Sequence, residues 1–78
     1  MYYVYLLICK NSSSYVGCTD NLKARIERHN KGYVPATKYL LPIKLISYVS
    51  FLNKNTAFKF EKYLKSGSGR AFIKKHFF

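Results

Sequence analysis

Residues 2–18 read YYVYLLICKNSSSYVGC, and this stretch decides the fold. Tyr2 to Cys9 is β-branched and aromatic without a breaker, so it predicts a strand. Both of its faces are apolar, which places it centrally in a sheet. Lys10 to Ser14 has the composition of a turn. Tyr15 to Cys18 then predicts a second strand and closes a hairpin. Gly17 permits a close approach of another group to the backbone, or marks a bulge.

Beyond the hairpin, Thr19 or Asp20 is the expected cap of a first helix. At helical spacing Leu22, Ile26 and His29 share a narrow arc, with Arg25 on its shoulder. Gly32 is a suitable stop. A loop over residues 33–42 carries Thr37 and Lys38, and Pro42 releases the chain into a third strand, Ile43 to Phe51. Asn53 to Asn55 opens a second helix running to about Lys65. Its apolar stripe is Ala57, Phe60 and Leu64, with Tyr63 on one shoulder and Glu61 on the other. Ser66-Gly67-Ser68-Gly69 is expected to interrupt it, and Arg70 to Phe77 to form a short last helix. The order β-β-α-β-α-α defines an α+β layer in one domain over residues 1–78. One face of its three-stranded sheet is expected to pack on helices. The Gly-x-Gly-x-x-Gly signal of a dinucleotide-binding unit is absent.

Composition bounds the function. The chain has 78 residues, 49% of them hydrophobic, with eight tyrosines and six phenylalanines, which argues against disorder. A domain of this size buries only about 60% of the surface its unfolded chain exposes. Dimerisation would therefore help stability, but nothing in the sequence demands it. Fourteen Lys and Arg face three acids, Asp20, Glu27 and Glu61, for a net charge of +11. Such a surface attracts polyanions, nucleic acid first and anionic membrane second. No helix combines a broad apolar face with interfacial aromatics, which sets the membrane reading aside. The spacing of Cys9, Cys18, His29 and His76 does not match the close pairs of structural zinc sites. No secretory signal opens the chain, so a cytoplasmic location with reduced thiols is expected.

Glu61 is the most informative single residue. It sits at the margin of an apolar stripe among Lys59, Lys62 and Lys65. There a carboxylate needs an ion pair, hydrogen bonds or a metal to offset lost hydration. One reading pairs it with Lys65 or Arg25. Another has it hold Mg²⁺ or Mn²⁺, completed by water and phosphate oxygens. Arg25 offers a planar fork of donors suited to phosphate, and equally to a carboxylate. His29 is a candidate base, or a core-edge histidine bonded to the backbone. Tyr3 and Tyr5 share one strand face. Tyrosine hydroxyls can orient water or touch phosphate, and are also ordinary residues at the rim of a core.

Taken together, Tyr3-Val4-Tyr5, Tyr15-Val16-Gly17, Arg25 within NLKARIERHN, and Glu61 within FEKYLKSGSGRAFIKKHF resemble the GIY-YIG nuclease family. The late stretch resembles its small stand-alone, UvrC-like members in particular. The resemblance spans Tyr3 to about Phe77. It implies a metal-dependent endonuclease that hydrolyses phosphodiester bonds with one divalent ion, Mg²⁺ or Mn²⁺. Tyr5 and Tyr15 match the tyrosines of the two triplets, Arg25 the helix arginine, and Glu61 the metal-binding glutamate. His29 stands where relatives place a base or water-orienting group, so Tyr5 and His29 are alternative proton acceptors. Gly17 matches the glycine that lets strand and helix approach closely. The first triplet lacks its initial glycine, and no asparagine follows Asn55 to match the one that larger relatives carry. Lys31, Lys38, Lys44 and Arg70 are candidate contacts to flanking phosphates. The expected substrate is nucleic acid, DNA ahead of RNA, chosen by its structure or by a protein partner. The rival reading is a non-catalytic nucleic-acid binding module on the same fold.

Overall fold

Four consecutive residues, Val4 to Leu7, are buried, as the middle strand of a covered sheet requires. The computed structural model describes residues 1–77. They form β1 (Tyr2–Ile8), β2 (Ser14–Thr19), α1 (Leu22–Asn30), β3 (Lys44–Phe51), α2 (Lys54–Leu64) and α3 (Gly67–His76). The sheet is antiparallel with strand order β2-β1-β3, so β1 is central and β2 is an edge. The α+β class and the order β-β-α-β-α-α are as the sequence predicts.

Both faces of the sheet are used, rather than one. Val4, Leu6 and Val16 point one way, against Ala57, Leu64 and Ile73 of α2 and α3. Tyr5 points the other way, toward α1, where it meets His29. The alternation of a strand makes this division, because neighbouring side chains leave on opposite faces. In α1 the residues withdrawn from solvent are Leu22, Arg25, Ile26 and His29, the arc that the sequence spacing marks.

Strand ends fall within one residue of expectation, and two helix starts differ in an informative way. The cap of α1 is Asn21, whose side chain accepts from the Ala24 backbone N–H. Thr19 instead makes a local turn with Asn21 through its hydroxyl. Asparagine has the same capping oxygen as aspartate, one residue later. The second difference is the Ser-Gly run, which does interrupt the helix but only at Lys65 and Ser66, the rest of the run being helical. Ser66 caps α3 by accepting from the Gly69 N–H, and Gly67 to Gly69 form its first turn. Gly69 is buried where a Cβ would overlap the Tyr63 carbonyl oxygen and the Leu64 Cα. The glycine is there because two helix backbones touch.

Candidate active site

The edge strand β2 collects the chemistry. Its register sets Gly17 opposite Tyr5 and Tyr15 opposite Leu7, so Tyr5, Tyr15 and Gly17 share one face. The Tyr5 and Tyr15 rings lie 6.3 Å apart between centroids. The α1 helix covers this face and supplies Arg25 and His29. From the opposite face α2 supplies Glu61 at the same edge. The site therefore wraps around one strand and draws on both layers.

At its centre is a buried chain of three side chains. Tyr5 Oη lies 3.0 Å from His29 Nε2, and His29 Nδ1 lies 2.7 Å from Thr37 Oγ1. Tyr5 is 1% exposed, and His29 and Thr37 are 0% exposed. His29 is thus a core residue with both ring nitrogens occupied by side chains, and neither partner is a backbone carbonyl. The His29 ring also meets the Tyr15 ring edge-on, with centroids 5.2 Å apart.

Gly17 makes room for this arrangement. A Cβ at Gly17 would overlap Cζ and Oη of Tyr5. The three atoms nearest to that position all belong to Tyr5, so the space that Gly17 opens holds the Tyr5 ring.

Electrostatics tie the groups together. Burial pushes the Tyr5 phenol up to about 12, and the neighbouring Arg25 guanidinium pulls the other way. The charges of Tyr15 and Glu61 add smaller upward pushes. Burial raises the Cys18 thiol, and the nearby Glu61 carboxylate raises it further. His29 is held below its ordinary value by burial first and by the Arg25 charge second. It is therefore neutral at pH 7.

Glu61 forms an ion pair with Lys65, with Oε2 and Nζ 3.0 Å apart. The Lys65 ammonium also lies 6.0 Å from the Tyr15 ring centroid, which links the carboxylate to the tyrosines. The Glu61 side chain is 21% exposed. Among the described residues no three His, Cys, Asp or Glu side chains gather into a cage. This donor set suits a hard cation that keeps water and phosphate oxygens as its remaining ligands, and Glu61 would be its protein ligand.

Two clefts follow β2. One, of about 250 Å³, is lined by Cys18, Thr19, Asp20, Arg25 and Lys54 among others. The other, of about 220 Å³, runs past Ser14, Tyr15, Val16, Lys65 and Arg70. Arg70 thus lines the same cleft as Tyr15. Lys31, Lys38 and Lys44 are exposed but line neither cleft. Lys54, Lys65 and Thr37 are neighbours of the site that sequence reasoning did not assign to it. Lys65 had one signal, its spacing four residues after Glu61. Lys54 and Thr37 had none. A larger cleft of about 570 Å³ between α1 and β3 contains none of Tyr5, Tyr15, Arg25, His29 or Glu61.

Comparison with known proteins bears on the fold and the family. A UPF0213 protein of Clostridium perfringens (strain 13 / Type A) is 44% identical over 66 residues, 83% of this chain and 71% of the relative. One from Pediococcus pentosaceus is 39% identical over 74 residues, 94% of this chain and 78% of the relative. The solution NMR structure of a UPF0213 protein from Bacillus halodurans matches with a TM-score of 0.60 at 31% identity, covering 96% of this chain and 84% of that one. The family model described as the GIY-YIG catalytic domain matches residues 1–75. The chain belongs to the GIY-YIG nuclease family.

Proposed function

We propose that the protein is a divalent-metal-dependent endonuclease, acting on DNA ahead of RNA, with its reaction centre at the β2 edge. The observation that carries this reading is the convergence on Tyr5 of His29 by a hydrogen bond and of Arg25, Tyr15 and Glu61 by charge. A buried phenol surrounded in this way is more than a core tyrosine needs for its hydroxyl to be satisfied.

In this reading the backbone of the substrate lies along the two clefts, with Arg70 and Lys65 at one end of β2 and Lys54 and Arg25 at the other. Arg25 donates to the non-bridging oxygens of the scissile phosphate and stabilises the charge that grows there. Tyr15 orients the phosphate or the attacking water. Water attacks phosphorus in line and the bond to the 3′ oxygen breaks, giving 5′-phosphate and 3′-hydroxyl ends. Tyr5, as phenolate, takes the proton of the water, its own proton having left to solvent. His29 stands behind Tyr5 with both nitrogens already engaged, which favours Tyr5 over His29 as the acceptor. GIY-YIG nucleases generally use divalent metals. When held by Glu61, one Mg²⁺ or Mn²⁺ ion supplies charge that stabilises the leaving oxygen and favours the phenolate. Phosphate contacts fix position without reading sequence. Substrate choice therefore rests on nucleic-acid structure or on a partner protein, in the cytoplasm.

The test is nicking of labelled DNA and RNA, duplex and single-stranded, with Mg²⁺ or Mn²⁺. Cleavage by the wild type that Glu61→Ala and Arg25→Ala both lose is the expected result. Tight binding with no cut in any substrate or metal would overturn the enzymatic reading in favour of a binding module.

A further inference from the structure

The cleft at the Arg25 end of β2 has a lining that a path for phosphates alone does not explain. Its volume is about 250 Å³, and its walls come from α1, α2 and the ends of β1 and β2. Arg25 and Lys54 bring the cations that phosphate needs. The same cleft is also lined by Tyr2, Phe58 and Asp20. Phe58 is 46% exposed. Among the described residues it is the one phenylalanine left exposed. Asp20 is one of three acids in a chain of net charge +11, and a carboxylate beside phosphates repels them.

A nucleobase suits every part of this lining. It is flat and stacks on an aromatic face, whichever base it is. Its amino hydrogens are donors for a carboxylate, the pairing by which an acid reads cytosine. The phosphates on either side of it are partners for Arg25 and Lys54. The Lys54 ammonium lies 5.5 Å from the centroid of the Phe58 ring. Lys54 is exposed, so its long side chain is free to leave the ring for a phosphate. The cleft also abuts the reaction centre, since Cys18 in its wall senses the charges of Glu61 and Arg25 as well as that of Lys54. A base inside a duplex has both faces stacked and its pairing edge occupied, so the occupant must be unpaired.

We propose that this cleft is a nucleobase site: it takes one unpaired base, stacked on Phe58 with its amino group toward Asp20, while Arg25 and Lys54 hold the phosphates beside it. The substrate is then a single strand, or a duplex with an unpaired nucleotide next to the cut. The proposal deepens the reading of the β2 edge as the reaction centre, and rests on it only for placing the held base beside the cut.

Binding is measured on the intact chain in EDTA, so that nothing is cut. Fluorescence anisotropy compares oligo(dC), oligo(dT) and a fully paired duplex at one salt concentration. Phe58→Ala is expected to weaken single-strand binding by about 5- to 150-fold and to leave duplex binding unchanged. Phe58→Trp keeps a stacking face and should retain the single-strand affinity. Tyr39→Ala removes a ring that is 85% exposed outside the cleft and should change nothing. The wild type should hold oligo(dC) more tightly than oligo(dT), whose bases have no amino group, and Asp20→Asn should remove the difference. Free deoxycytidine monophosphate at matched concentration should not displace the strand; displacement would make this a mononucleotide site and overturn the proposal. A strand carrying 5-iododeoxycytidine tests the wild type without any variant, and irradiation should join it to Phe58 or Tyr2. A cross-link at neither residue overturns the nucleobase site. So does a folded Phe58→Ala protein that binds single strands as the wild type does, or that loses single-strand and duplex affinity equally. A preference for oligo(dC) that is absent from the wild type, or kept in Asp20→Asn, overturns the orientation of the base. If the base is held as stated but no substrate is ever cleaved, the nuclease reading falls alone.

Discussion

Substituting Gly17 by alanine tests whether the Tyr5 ring depends on a missing side chain across the hairpin. The new Cβ would fall on Cζ and Oη of Tyr5. The ring has little freedom to move, because it is 1% exposed and hydrogen-bonded to a wholly buried His29. Overpacking of a dense interior costs about 1–3 kcal/mol. Moving the phenol away from His29 leaves buried polar groups unpaired, which costs about 1–3 kcal/mol more. Replacing glycine in a strand returns about 0.5–1 kcal/mol through the unfolded chain. The net expectation is a destabilisation of about 1–5 kcal/mol, centred near about 3 kcal/mol, against the roughly 5–15 kcal/mol typical of a domain. Urea denaturation measures it. Gly67→Ala is the control, since a Cβ there meets nothing within 4 Å, and it should change stability by less than about 1 kcal/mol. Combining Gly17→Ala with Tyr5→Ala should cancel most of the steric cost and reveal a positive coupling in the double-mutant cycle. A Gly17→Ala protein as stable as the Gly67→Ala control would refute the packing argument.

Glu61→Gln should abolish metal-dependent cleavage, a fall on the order of 10²-fold or more, yet leave stability within about 0.5 kcal/mol, since it loses one ion pair to a half-exposed lysine. Kinetics and a thermal melt on one preparation check both halves. At alkaline pH the raised Tyr5 phenol makes the fold hold its proton where the unfolded chain has lost it. Stability is therefore intact below pH 10 and declines from pH 10 toward pH 12. Urea midpoints across that range should flatten in Tyr5→Phe. At acid pH the depressed His29 works in the opposite sense. Unfolding takes up a proton, so stability falls as pH drops below 6.5, and His29→Gln should remove that part of the slope. For binding, Arg70→Ala should reduce the dependence of log affinity on log salt by about one. Lys31→Ala, outside both clefts, should change it less.

The strands, the buried arc of α1 and the marginal place of Glu61 were legible in the sequence because each follows from neighbours a few residues apart. Alternation fixes the face of a strand residue, and a turn of helix fixes which side chains share a stripe. The break at Ser66 was legible too, but not that Gly67 to Gly69 are already helical. The composition of the Ser66–Gly69 run is that of a linker, and nothing local tells of the α2 backbone against which Gly69 packs. Thr37 carried no signal at all, since a loop hydroxyl has no period to mark it.

By itself the sequence determined the charge, the order of elements and the candidate chemistry at Tyr5, Tyr15, Arg25, His29 and Glu61. Only the tertiary structure decided that the site wraps an edge strand, that Gly17 houses a ring, and that Thr37 and Tyr5 hold His29 from its two sides. Those facts join residues separated by 8 and 24 positions. The physical reason is burial. A polar group removed from water must find its partner wherever the folded chain brings one, and that choice is made in space rather than along the backbone.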